Sequence, residues 1–242
     1  MKTFCMRLVC VVLLCGLTAG LYSQAELPGD NARVNYEMAF TYLLKTPPDY
    51  ERARGHLENA TVAGGAYADR ARLELVRLVA AEERPADQSP VAEIRQILNA
   101  LEDRTQVAAV WFAAVQALDE NDHVADAISM GLELSLRFPE SAVADESLYL
   151  IATRLYEQRS YSASLELLYR IEDQYPDGEV ADDALILRSR IYLEQGPLYS
   201  PLKGCSALED FMRSDERPAF DQSLWRIEAA RMFHENCGYA GY

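Results

Sequence analysis

Positive charge is scarce in this chain. Its 242 residues hold 23 lysines and arginines against 38 aspartates and glutamates, a formal charge of −15. Such a balance repels phosphate backbones and anionic lipid heads, so nucleic acid is not expected as a partner. Long apolar runs are also missing. The stretch from Leu8 to Leu14 falls short of the roughly 20 residues that span a bilayer. No segment alternates apolar and polar residues over any length, which excludes a sheet. The chain has no glycine-rich phosphate loop, no His-Glu-x-x-His and no Gly-x-Ser-x-Gly, so no catalytic residue, metal site or cofactor is expected and an enzyme is not the reading. His56 and His123 lie on helical segments with no paired nucleophile, and read as surface or capping residues. The acidic runs Asp119-Glu120-Asn121-Asp122 and Asp182-Asp183 are placed in inter-helix turns, and the first, which lacks the spaced glycine and distal glutamate of a calcium loop, reads as solvated surface.

What is present begins with an N-terminal pattern. Lys2 and Arg7 form a short basic region, the apolar stretch follows, and Ser23-Gln24-Ala25 offers a small-residue cleavage pattern before Glu26. Residues 1–25 therefore read as a secretory signal, with the mature chain at 26–242. Acylation at Cys15 is the second reading, although Leu14 stands where lipoprotein signals place a small residue. Three of the five cysteines fall in this segment. Cys205 and Cys237 remain, and an even number in an oxidising compartment points to one disulfide. These two cysteines begin one predicted helix and end the next, so an antiparallel hairpin brings them together. Two free thiols, or a metal held with His234, are the alternatives.

The remainder alternates helical apolar patterns with short breaks. Val34, Met38, Tyr42 and Leu43 share a face before Thr46-Pro47-Pro48-Asp49, and Tyr50, Ala53, Leu57 and Ala60 mark the next helix up to Gly64-Gly65. Further helices are predicted near 66–83, 91–104, 106–119, 123–138, 142–158, 161–174, 179–195, 205–214 and 221–236, with a loop at 196–203. One self-similarity organises the middle. Phe138-Pro139 to Ala144-Asp145 is echoed 37 residues later by Tyr175-Pro176 to Ala181-Asp182, and Leu148, Leu150, Glu157 and Gln158 recur as Leu185, Leu187, Glu194 and Gln195. A fixed period of this size marks stacked units that bury their apolar faces only against neighbours.

Within a unit, Leu148-x-x-Ile151-Ala152-x-x-Leu155, Ser164-x-x-x-Leu168 and Pro176 fit the tetratricopeptide pattern. Trp111, Ala114, Leu118, Ala127 and Pro139 fit it one unit earlier, as do Ala39, Tyr42, Ala53 and Leu57 near the start. The chain resembles a tetratricopeptide-repeat (TPR) protein. The form Tyr-Pro-x-x-x-x-Ala-Asp-x-Ala-Leu is similar to repeats of exported bacterial envelope proteins, including the BamD-type assembly lipoproteins and the YbgF/CpoB-type periplasmic coordinators. The resemblance implies an all-α fold, a right-handed superhelical solenoid of antiparallel helical hairpins, with about five repeats and a C-terminal helix. It further implies a periplasmic or cell-envelope scaffold whose partners are other envelope proteins or peptides, with outer-membrane protein assembly as the concrete role. Membrane association would run through a partner protein or through lipid on Cys15. A binding protein for a small apolar ligand or transport substrate is the alternative.

In this family the first helix of each hairpin lines the concave face. The matching non-core positions are Ala109, Phe112, Gln116 and Asp119, then Glu146, Tyr149, Thr153 and Tyr156, then Asp183, Ile186, Arg190 and Leu193, and all but Ala109, Asp119 and Asp183 are the nine expected partner-binding residues. They are expected to form an aromatic and aliphatic stripe edged by acids, suited to an extended or helical peptide. Family members that clamp a C-terminal carboxylate carry lysine and asparagine at such places, and here only Arg190 is basic.

Overall fold

A computed structural model describes residues 28–85, 88–101, 103, 105–213 and 223–237. The predicted signal, including Cys15 and the cleavage pattern at Ala25, lies outside the described residues. Within them the chain is all-α, with eleven helices and no strand. The chain divides into two compact units, 1–71 and 72–242. Among the described residues no helix is long and apolar enough to cross a membrane.

In the first unit, α1 (Pro28–Leu43) pairs with α2 (Tyr50–Val62). Asp49 caps α2 by accepting a hydrogen bond from the Arg52 N–H, which satisfies one of the orphan donors of the first turn. The small residues Ala39 and Ala53 are fully buried and let the helix axes approach. Val34 and Met38 differ from expectation, for they are 54% and 37% exposed. The buried side of α1 is carried by Ala32 and Ala39 instead, with Tyr36 and Phe40 edge-to-face beside them. His56 is a packing residue, stacked on the Tyr42 ring and bonded to Asn35 Oδ1 at 3.0 Å. Gly64 and Gly65 both take positive φ, a conformation that ends the helix at little steric cost.

Helix α3 (Ala66–Ala81) crosses the boundary between the units. Beyond it run α4 (Val91–Asn99), α5 (Val107–Glu120), α6 (Val124–Arg137), α7 (Ala144–Glu157), α8 (Tyr161–Gln174), α9 (Ala181–Leu193), α10 (Pro201–Met212) and α11 (Arg226–Cys237). Helix α10 starts earlier than the predicted 205, because proline is favoured in the first turn, where its missing N–H would be unpaired anyway. Helices adjacent in sequence pack on one another. Trp111, Leu118, Met130 and Leu134 centre one core. Leu148, Ile151, Leu168 and Ile191 centre the next. Ile186, Leu208, Phe211 and Met232 form the last.

The 37-residue echo is geometric as well as sequential. Phe138 and Tyr175 close α6 and α8 with φ and ψ of −132° and 54°, and −132° and 52°. Val143 and Val180 open α7 and α9 at −100° and 4°, and −106° and 11°. Asp122 and Arg159 both sit at left-handed φ, 63° and 60°. There the next amide reaches back five residues, His123 to the Leu118 carbonyl and Ser160 to that of Leu155, which satisfies otherwise orphaned carbonyls. Between the helices of each hairpin, one buried polar bond recurs in kind. The Trp111 indole donates to the Met130 carbonyl at 3.1 Å, and the Ser164 hydroxyl to that of Ala152 at 2.7 Å.

Candidate partner-binding face

Helix α7 presents Glu146, Tyr149, Thr153 and Tyr156 on one side, because residues three, four and seven apart lie above one another on a helix. Phe112 on α5 meets the first three. Together with Leu150 and Val180 they line a pocket of about 270 Å³. Its floor holds an orphan, since Thr153 Oγ1 is buried and unpartnered. Tyr149 stands close to Thr153, but no hydrogen bond of good geometry joins them. The Tyr149 phenol titrates above its ordinary range, first through burial and next through the nearby Asp183 charge. Glu146 is also pushed up, by burial first and then by Asp145 and Glu179.

Seven residues further along α7, about 10 Å at the helical rise, Tyr156 enters a second depression of about 310 Å³ with Arg190, Leu193, Glu194, Glu228 and Arg231. Tyr156 and Tyr161 both donate to Glu194, at 3.2 and 2.9 Å. Tyr156 is raised by burial first and then by Glu194. Arg190 lies 3.6 Å from Glu228. The hydrogen bond from Arg231, at 2.7 Å, chiefly holds Glu228 below its ordinary range.

Seven of the nine residues expected to bind a partner therefore come together in two depressions on α5, α7 and α9. Gln116 is exposed and lines neither depression. Ile186 departs from expectation. It is 1% exposed, packed among Leu208, Phe211, Ala229 and Met232, because α11 lies over that part of α9. Phe112, at 8%, contributes mainly a wall. The apolar stripe is thus interrupted at α9.

Trp225 is the site residue that the sequence pattern gave no reason to select. Its indole N–H donates to Asp183, and the Arg190 guanidinium lies 5.0 Å from its ring. Asp183 thus lies in the first turn of α9 and not in an inter-helix turn. Burial first raises it, the indole bond opposes that, and Asp182 adds to the rise. The other acidic run is corrected likewise. Asp119 is 6% exposed and accepts from Arg154 Nε and Nη2 at 2.5 and 2.8 Å, so it ties α5 to the following hairpin. Trp225 belongs to no periodic pattern, and the helical row that holds Asp119 gave no sign of its partner Arg154. Only the 37-residue spacing that relates Ile186 to Tyr149 and to the buried Phe112 bears on the covering of α9.

Cys205 and Cys237 form a disulfide with Cα atoms 5.8 Å apart. This agrees with the disulfide reading, in which neither sulfur offers a thiolate to a cation. Among the described residues no group of three histidines, cysteines or carboxylates is arranged to hold a metal ion. Comparison with models of known protein families gives no match, and comparison with curated proteins gives none either.

Proposed function

We propose that the chain is an exported, non-catalytic scaffold of the bacterial cell envelope, whose hairpins from α5 to α11 wind as a TPR-like right-handed superhelix and hold a peptide of a partner protein. Outer-membrane protein assembly is its concrete setting. One observation carries the reading, the placing of Tyr149 and Tyr156 in separate depressions two turns apart on one helix. Such spacing takes two anchor side chains of one extended or helical segment, and a few buried anchors dominate the affinity of interfaces of this kind. The buried Thr153 hydroxyl gains a partner when a peptide polar group enters the first depression.

The alternative occupant is a small apolar molecule. The first depression is mostly apolar, which favours it, but about 270 Å³ lies below the roughly 300–1,000 Å³ of ordinary ligand sites. A single anchor side chain fits better. Native mass spectrometry of gently purified protein decides between them, a co-purifying small molecule supporting the alternative.

Site-directed crosslinking in intact cells tests the leading reading. Replacing both Tyr149 and Tyr156 by alanine is expected to weaken partner capture by roughly tenfold or more with unchanged helicity. Undiminished capture refutes the assignment.

A further inference from the structure

One cavity of the second unit lies away from the candidate partner-binding face. It opens where the turn between α6 and α7 meets the turn between α8 and α9, has a volume of about 870 Å³, and shares no lining residue with the two depressions. Asp145 forms part of its wall. This carboxylate is 4% exposed, and it makes no hydrogen bond or ion pair with any described residue. Buried carboxylates are ordinarily paired, because desolvation disfavours the charge. The first turn of α7, which holds Asp145, is a favourable place for negative charge, yet it donates no hydrogen bond to the carboxylate.

The opposite wall is shaped around this group. A Cβ added at Gly178 would stand 2.2 Å from Asp145 Oδ2, so glycine is what lets this turn approach the carboxylate so closely. Glu140, Asp177 and Glu179 line the same space. Among the described residues that line it, Arg170 is the one cation, and its Nε already donates to Gln174 at 2.9 Å. The Tyr175 phenol is raised by burial first, an effect that the Arg170 charge opposes and that Asp145 and Glu140 reinforce, and its oxygen is buried without a hydrogen-bond partner. A divalent ion would need several ligands converging at about 2–2.6 Å, and no such group exists among the described residues.

We propose that this inter-hairpin cavity seats a cationic side chain, an arginine or lysine presented by a partner protein, with the buried Asp145 carboxylate as its anchor and Glu140, Asp177 and Glu179 as its rim. The site lies on the turns, independent of the face proposed above, so the two stand or fall separately. A peptide cation supplies both what Asp145 lacks, a donor and an opposite charge. The rim acids draw it in and make binding weaken with salt.

Titration of the isotope-labelled full chain by NMR tests this, with N-acetyl-arginine amide, N-acetyl-lysine amide and neutral N-acetyl-norleucine amide as probes. One or both cationic probes are expected to give saturable shifts at the Asp145, Gly178 and Glu179 amides, with none at Tyr149 or Tyr156. The better cation identifies the side chain the cavity takes. Asp145→Asn is expected to weaken binding by roughly tenfold with an unchanged circular dichroism spectrum. If that variant does not fold, the rim pair Glu140→Gln and Asp177→Asn replaces it, with a severalfold loss expected. Absent saturation, equal shifts with the norleucine probe, or undiminished binding by the folded variant each overturn the proposal.

Discussion

Glu146 and Arg154, both on α7, show how environment decides what one side chain contributes. Arg154 bridges hairpins by bonding Asp119 and is held above its ordinary range chiefly by that bond. Glu146 has no such partner. Burial first, then the charges of Asp145 and Glu179, raise its pKa above 4.5. A raised acid disfavours the folded state whenever it is ionised there. The penalty is complete above the folded pKa, is relieved as pH falls through it, and has vanished below the ordinary value. Glu146→Gln is therefore expected to melt higher than the parent near about pH 7, and the gap is expected to close towards about pH 4. A thermal-unfolding series across that range checks it, and a gap independent of pH contradicts the account. At this scale the sequence was least legible. The Asp119–Arg154 pair spans 35 positions and the Asp183–Trp225 bond 42, and nothing periodic links such partners.

At the scale of elements, hydrophobic periodicity and turn chemistry made most helices legible, because burial of one face and breakage at proline or glycine are local properties. The face of α1 escaped because alanine carries it, and alanine marks close approach rather than hydrophobic weight. Gly131 on α6 shows the same principle more sharply. A Cβ there would lie 2.4 Å from Ile151 Cδ1 and 2.9 Å from Ser147 Oγ, and Ile151, 1% exposed, has nowhere to move. Gly131→Ala is expected to lower stability by about 1–3 kcal/mol through overpacking. Gly55, on α2, has open space where its Cβ would go. Alanine there is expected to raise stability by about 0.4–1 kcal/mol through the entropy of the unfolded chain. Denaturant midpoints of the two variants measure both, and a shift of the same sign in each would contradict the steric account.

On the scale of the whole molecule, the second unit carries several cores in sequence order rather than one. The last of them, between α9, α10 and α11, is closed by the Cys205–Cys237 bridge. With the cysteines 32 positions apart, the chain-entropy treatment gives about 3–4 kcal/mol of stabilisation. Its effect should be confined to the end of the chain. Reduction is expected to speed amide exchange in α10 and α11 while α5 to α8, built on other cores, keep their protection. Exchange mass spectrometry with and without reductant checks this, and uniform acceleration argues against it.

The matched turns at Phe138 and Tyr175 carry a consequence for how the chain could grow or shrink. Excising 144–180 would splice Val143 to Ala181 with the backbone heading preserved, since the two turns superpose in φ and ψ. The scar would be chemical. Arg188 would arrive where Ile151 now fills the hollow left by Gly131, placing a guanidinium against a dry surface. The modules are interchangeable as scaffolding, whereas their contact surfaces have diverged until each recognises only its present neighbour.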